Sequence, residues 1–458
     1  MSLLSDTVIP GYAGEIVTPD HPEYETARRV WHGAIDRRPS LIARAASSAD
    51  VAAALRYAVE RDMPFAVRAG GHSLAGFSVV DDGLVIDLRP LRRVAVDPVR
   101  RTARVGAGVL WGELDAATQE HGLAVTGGRI SDTGVAGLAL GSGSGWLERR
   151  HGLTADSLLG ATVVTATGDV VHAGPYEHPD LFWALRGGGG NFGIVTEFEF
   201  ALHEVGPIVL GGVLVFEFER GMEVLRAYRA IMEAADDDLG GCAVLHRAPP
   251  APFVPAHLVG RPVVGIMVAA FGDLDRAARL VAPLRALGPV ADAVAPMPYT
   301  VLQSLIDAGS PAGLQGKFES AFMDALPDAA IRDLLAVAEH VPSPFTEVLI
   351  QPLGGAYARV DRHATALAHR DAPWMYHALA QWPDPADTPL NRTWTERLVT
   401  AMAPHSRRAT HPNHVSSDSG ERVRSFYGDE TYARLVAVKD RWDPHNVFRH
   451  NQNIRPST

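Results

Sequence analysis

The 458-residue sequence has a single cysteine, Cys242. That excludes a disulfide within the chain and any cysteine-based metal site, and no metal is expected. Cys242 lies in GGCAVLH, a small-residue strand context that predicts a buried, unreactive thiol. Basic residues are outnumbered: 42 Lys and Arg against 53 Asp and Glu give a formal net charge of −11. A chain of that sign gains nothing from neutralising phosphates, so nucleic acid is not an expected partner. The one basic stretch, 88–105, alternates its charges with valines and reads as the solvated face of a hairpin. No window reaches the roughly 18 consecutive apolar residues of a membrane span, so no membrane partner is expected either. The opening MSLLSDTVIPGYAG has no basic flank and no apolar core; it is not read as a secretory signal, and a cytoplasmic location is expected. Repeats and low-complexity tracts are absent. With 47% hydrophobic and 21% charged residues the composition is that of a folded protein, and the length suits two domains.

What the sequence does have is glycine in clusters. They fall between residues 70 and 193, in RAGGHS, TGGRISDTGVAGLALGSGSG and RGGGGNFG. Glycine costs backbone entropy, so clusters imply a reason, such as close approach of backbone to a bulky ligand. Around them helices and strands alternate. Helices are predicted at 48–63, 109–123 and 178–185, strands at 65–69, 84–88 and 194–202, and hairpins at 94–108 and 158–174. Beyond Gly206-Pro207 longer strands (VLGGVLVFEF, RPVVGIMVAAF, FTEVLIQPL) alternate with long helices, which predicts a separate sheet covered by helices on one face. The end, 431–454, reads as a helix and then an asparagine-rich tail. Oligomeric state is not legible.

In RAGGHSLAG a strand runs into two glycines and then His72. A glycine pair leaves N–H groups free to form a nest for pyrophosphate oxygens, with the histidine at its mouth. Gly141-Ser142-Gly143-Ser144-Gly145 does not fit the dinucleotide fingerprint, and no GK[ST] phosphate loop follows. A plain surface loop is the alternative, but Ile130, Val135, Leu138 and Leu140 are too apolar for one.

RAGGHS, the SDTGVAGLALGSGSGWLERRHGLT run, PDLFWALRGGGGNFGIVTEFEF and the tail DPHNVFRHNQNI together resemble the FAD-linked oxidase family of vanillyl-alcohol oxidase and berberine-bridge enzyme. The likeness is strong over 27–205 and 410–454 and looser between, and it is nearest to bacterial members of the hydroxynicotine-oxidase and enterocin-pathway kind. The resemblance implies an α+β fold. A PCMH-type FAD-binding domain of two subdomains would span 1–206. A substrate domain with an antiparallel sheet flanked by helices would span 207–408, and a segment returning to the FAD domain 409–458. It implies FAD bonded covalently to His72. A second, cysteinyl tether is not expected, because Ile130 stands at the cysteine position of Gly128–Gly134. Carried over by motif, Arg68, Ala69, Gly70, Gly71, His72, Ser73, Ser131, Thr133, Gly134, Gly137, Gly141, Ile194, Val195, Asn451 and Asn453 should lie against the cofactor.

The implied activity is hydride removal from a small alcohol or amine, with O2 as the second substrate and hydrogen peroxide as product. An oxygenase acting on a polyketide-like compound, a dehydrogenase and a flavin-binding protein without turnover are the alternatives. The middle of the chain has few charged residues near the expected pocket, which favours a neutral, partly apolar substrate. The base is open. Relatives carry a tyrosine where this chain has Pro412. If 411–415 is extended, His414 shares its side, and a histidine is a reasonable base. Period-two alternation sets Glu347 and Gln351 on one face of their strand, and His246 on one face with Cys242 and Val244. The alternative for each is structural: a solvated strand-end charge for Glu347, a surface imidazole for His414.

Overall fold

The computed structural model describes residues 8–414 and 420–457. The fold is α+β and carries three main sheets. In the first, Glu15–Val17 pairs antiparallel with Leu41–Arg44, which lies parallel to Leu84–Asp87, itself parallel to Phe65–Arg68. Leu41–Arg44 and Phe65–Arg68 flank Leu84–Asp87 and run parallel, so the chain between them must cross over, and helix Ser48–Glu60 makes that crossing. The helix starts where the Ser47 side chain accepts the Asp50 N–H, and it buries Val51, Ala52, Leu55 and Ala58.

The second sheet joins the two expected hairpins. Val94–Asp97 and Thr102–Gly106 form one, Leu158–Val164 and Val170–Ala173 the other, and Ile194–Ala201 is the central strand between them. Asp97 closes the first turn by accepting the N–H groups of Val99 and Arg100. The second turn relies on Gly168 at φ +81. Both sheets share one apolar core with Val423, Phe426, Tyr427, Leu435, Phe448 and Ile454, so the end of the chain packs back onto the module formed by its beginning. Pro179–Leu185 is the short helix expected near 178–185, whereas the helix of 109–123 is confined to Trp111–Gln119.

The third sheet is antiparallel throughout. Its order is Ala291–Asp292, Ile208–Glu217, Pro262–Ala270, Leu239–Arg247, Glu347–Pro352, Trp374–Trp382, Gln315–Met323, with Ala295–Pro298 also on Ile208–Glu217. Helices Gly221–Glu233, Leu274–Arg285, Asp328–Ala338 and Thr388–Met402 supply apolar side chains to the core on one face. The other face is turned toward the first module. Arg149 holds the two together: its Nε donates to the Leu239 carbonyl at 3.1 Å, Nη1 to Leu353 at 2.7 Å and Nη2 to Ala235 at 3.2 Å.

A second joint is Asp115 on helix Trp111–Gln119 against Gln303 on helix Tyr299–Gln303. The Gln303 amide donates to Asp115 Oδ2 at 2.9 Å, while Asp115 Oδ1 and Gln303 Oε1 are buried without partners. Burial pushes the Asp115 carboxyl up to about 7, and the amide bond opposes this only in part. A carboxyl raised in the folded state favours folding most below its unfolded pKa. That advantage is lost as pH rises toward about 7, because the unfolded chain ionises first. Asp115→Asn removes this titration. The stability difference between wild type and variant is expected to move against wild type by up to roughly 4 kcal/mol between about pH 4 and about pH 8, read from urea denaturation. A difference independent of pH would refute the burial argument.

Candidate functional site

A long cavity runs through the first module, enclosing about 1430 Å³ with its open mouth included. Its walls are backbone-rich. Ala69, Gly70, Gly71, His72 and Ser73 line one side, Thr133, Gly134, Gly137 and Gly141 another, and Gly189, Gly190, Ile194 and Val195 a third, with Asn451 and Gln452 from the tail. The glycines are needed by contact. A Cβ on Gly70 would stand 2.3 Å from the Gly134 nitrogen, while one on Gly137 would project into open space. Among the described residues Asn451 Oδ1 and Asn453 Oδ1 are buried with no partner, which leaves acceptors open to a donor from a ligand. The glycine cradle, drawn from three separate segments and the tail, and the orphaned Asn451 acceptor on its wall fit a dinucleotide such as FAD.

Twelve of the fifteen expected cofactor residues line this cavity; Arg68, Ser131 and Asn453 do not. Arg68 is turned away because its guanidinium is used in the fold, donating to Asp87 at 2.7 Å and to the Ala27 carbonyl at 2.5 Å. Ser131 is held by Asp307, which accepts its N–H at 2.9 Å and its hydroxyl at 2.5 Å. His72 stands at one end of the cavity, stacked on Trp31 with ring centroids 4.9 Å apart, and its Nε2 lies 3.0 Å from Asp132 Oδ1. Asn413 seals the other side of the glycine run. Its amide donates to the Gly137 carbonyl at 3.2 Å, and a Cβ on Gly141 would collide with it.

Strand register sets out the facing surface of the large sheet in rows. Glu347 is opposite Leu379, and Leu379 opposite Phe318. The register of Ala243↔Ile350 and Leu245↔Val348, continued one step, brings His246 beside Glu347. The next row is Val244, Leu349, His377 and Ser320, and the third holds Cys242, Gln351, Met375 and Phe322. Alternation therefore does set Glu347 and Gln351, and Cys242 with His246, toward the first module. Burial pushes the Cys242 thiol up to about 12, as an inert thiol requires.

The four expected catalytic side chains meet different fates. Gln351 is fully enclosed: its amide donates to Ser144 Oγ at 3.1 Å and to Glu148, and Arg129 donates to its oxygen at 3.2 Å. His414 is not on an extended strand, since Pro412–His414 is a 3₁₀ turn, so the argument from strand alternation with Pro412 fails. The turn stacks His414 on His377, centroids 4.3 Å apart, with His411 4.9 Å away. Burial and the neighbouring imidazoles push His414 well below the ordinary histidine range, and burial takes His377 and His411 to about 3. His246 falls to about 4 for the same reason. Glu347 moves the other way: half-buried, with no hydrogen bond or ion pair among the described residues, its carboxyl is raised by burial to about 7.

Sequence reasoning missed Trp31, Arg129, Asp132, Glu148, Asp307 and His377. Arg129 and Asp132 lie inside the motif already singled out, and their charge within a glycine run was the available signal. His377 had none, because WMYHALAQW carries no motif. The histidines do not form a metal centre; among the described residues no group of three or more His, Cys, Asp or Glu is set to hold an ion.

Comparison with known proteins agrees with this geometry. A family model for an FAD binding domain matches residues 39–174, and one for berberine and berberine-like proteins matches 412–455. (R)-6-hydroxynicotine oxidase of Paenarthrobacter nicotinovorans is 34% identical over 460 residues, covering 97% of each chain. An uncharacterized FAD-linked oxidoreductase of Bacillus subtilis (strain 168) is 32% identical, again over 97% of each. The crystal structure of 6-hydroxy-D-nicotine oxidase from Arthrobacter nicotinovorans superposes with a TM-score of 0.87 at 32% identity, over 97% of this chain and 98% of that one.

Proposed function

Because this chain belongs to the FAD-linked oxidases of the berberine-bridge type, we propose that its FAD is tethered to His72 and that it oxidises a small alcohol or amine at the expense of dioxygen. The observation that carries the tether is the imidazole at the end of the glycine-lined cavity, with one ring nitrogen engaged by Asp132 and the other without a partner among the described residues. A proton held on Nε2 by the carboxylate leaves the Nδ1 lone pair free to bond carbon. The tether is single, since Ile130 offers no thiol and Cys242 is sealed in another core. The division into 1–206, 207–408 and 409–458 belongs to the same reading.

When bound, FAD supplies the two-electron chemistry: its N5 accepts a hydride and dioxygen carries the electrons on to hydrogen peroxide. The protein's own task is to hold the substrate and to take its proton. Among the four candidates Glu347 suits the second role best. A general base works best when its pKa lies near the operating pH, and Glu347 stands at about 7 while His246 stands at about 4. Gln351 cannot titrate, and the depressed His414 is a weak acceptor. Gln351 instead keeps Arg129 in place beside the sheet.

Purified protein turning over its substrate is expected to consume oxygen and release peroxide in equal amounts. Oxygen label appearing in the product would instead mark an oxygenase. Reduced protein that stays bleached in air would mark a dehydrogenase. Among the described residues no helix is long and apolar enough to cross a membrane.

A further inference from the structure

We propose that the large sheet, acting through residues 31–33, sets the plane of the His72 ring, and that Trp31 is a positioning residue for covalent attachment of the flavin; this rests on the histidyl tether proposed above. Trp31 is bonded on two sides. Toward the cradle its N–H donates at 3.2 Å to the carbonyl of Gly71, the residue before His72, and its ring stacks on the imidazole with 22° between the planes. Toward the sheet its carbonyl accepts the Gly313 N–H at 2.9 Å, and its ring lies 6.1 Å from that of Phe318 on the edge strand Gln315–Met323.

The next two residues pin the same stretch to the start of that strand. The Gly33 N–H donates to the Leu314 carbonyl at 2.8 Å, and a Cβ on Gly33 would stand 2.0 Å from the Gly313 oxygen, so only glycine allows this approach. His32 is buried, and its bonds set its tautomer. The Ala34 N–H donates to Nδ1 at 3.1 Å, so the proton sits on Nε2, which donates to the Gly316 carbonyl at 3.1 Å. Burial lowers the His32 pKa and so keeps the neutral form that both bonds require. Its ring also stands edge-on to Phe318, with centroids 5.9 Å apart. Three consecutive residues are thus held by the sheet, and the first of them carries the indole that faces His72.

The contact to Asp132 fixes one atom of the imidazole, about which the ring plane can still turn. The indole face removes that rotation. The Nδ1 lone pair lies in the ring plane, so a fixed plane gives it a fixed aim. Attachment depends on that aim. His72 Nδ1 takes the place of one hydrogen on a methyl carbon of the flavin, Nε2 gives up its proton to Asp132, and the two protons and two electrons released end on dioxygen as hydrogen peroxide. Atoms that must meet in one geometry react faster when one of them is held there beforehand. The order of events follows: the sheet docks first, and the bond forms afterwards.

The test uses full-length protein made in riboflavin-limited cells, isolated without flavin and then given FAD in air. Pigment retained on acid precipitation measures the rate of attachment at each FAD concentration. In Trp31→Ala the rate at saturating FAD is expected to fall at least roughly tenfold, while the half-saturating FAD concentration stays within about threefold of wild type. Trp31→Phe keeps a flat aromatic face and is expected to restore the rate to within about threefold. Trp31→Leu keeps bulk without that face; it is expected to be as slow as Trp31→Ala and replaces it should that variant not fold. Gly33→Ala, which parts residues 31–33 from Gly313 and leaves Trp31 itself in the chain, is expected to slow attachment as well. Attachment at the wild-type rate without the indole, a slowing matched by an equal loss of FAD affinity, or a Trp31→Phe variant as slow as Trp31→Ala would overturn the positioning role. A folded Gly33→Ala variant that attaches flavin normally would overturn the part given to the sheet. Wild-type protein that binds FAD and never attaches it would remove the tether itself and this inference with it.

Discussion

His72→Ala is expected to yield a protein that loses all its flavin on acid precipitation, whereas the wild-type pellet stays yellow and fluoresces after denaturing electrophoresis. The argument is geometric. Of the side chains lining the cavity, His72 is the imidazole that follows the glycine pair directly, and its ring is fixed from two sides, by the Trp31 stack and by the 3.0 Å contact to Asp132. A nucleophile that must meet one carbon of a large ligand gains from being held in place beforehand. His450 also lines the cavity, but its Nε2 lies 3.2 Å from the Val79 carbonyl, inside the fold of the tail. Asp132→Ala keeps the nucleophile and loses its orientation, so the tether is expected to form slowly and incompletely rather than not at all. Cys242→Ser is expected to leave it intact. Pigment that stays with the precipitated His72→Ala protein would show that another residue carries the bond. Pigment lost from wild type would show that there is none.

The second large effect is on the tail. Lys439 and Asp443 are both fully buried, with Nζ 2.6 Å from the carboxylate. Nζ also donates to the Asn191 carbonyl at 2.8 Å and to Phe448 at 3.0 Å, while Asp443 accepts the N–H groups of Val447 and Phe448. The pair thus ties the long C-terminal helix to the turn at Gly189–Asn191 and to the segment whose Phe448, His450, Asn451 and Gln452 wall the cavity. Removing the Asp443 carboxylate leaves the Lys439 ammonium buried without a counter-charge, on backbone carbonyls only. Asp443→Ala is therefore expected to cost about 3–5 kcal/mol in denaturant unfolding and to weaken flavin retention in untethered His72→Ala protein. Replacing both by apolar residues of similar volume should cost much less. A loss below about 1 kcal/mol for the single variant would mean that the tail is held by its apolar contacts alone.

Glycine, proline and turn chemistry act over a few residues, and most of what they govern was legible in the sequence, the 3₁₀ turn at Pro412–His414 being the exception. The hairpins at Asp97 and Gly168 and the crossover helix from Ser48 follow from local backbone limits, and the glycine clusters marked where the cradle would be, although its contacts, Gly70 on Gly134 and Gly141 on Asn413, are made between distant segments. His72 was legible for the same reason, since it follows two glycines directly. Period-two alternation correctly told which side chains of Glu347–Pro352 share a face. It did not tell what stands opposite that face. That depends on strand register and on how one module docks on the other, and neither is encoded in spacing along the chain.

So Arg68, beside the cradle in sequence, is taken by Asp87 from a parallel strand, while His377, in a stretch without any motif, stacks against His414. The sequence alone determined that a histidine follows a glycine pair at the end of a strand, because that requirement is met within a single loop; the cradle itself is assembled from three separate segments. Only the tertiary structure decided that Glu347 has no hydrogen bond or ion pair among the described residues while Gln351, four residues on, is fully engaged. A carboxylate's state depends on neighbours from other strands, which are brought to it only when the sheet and the cavity face each other.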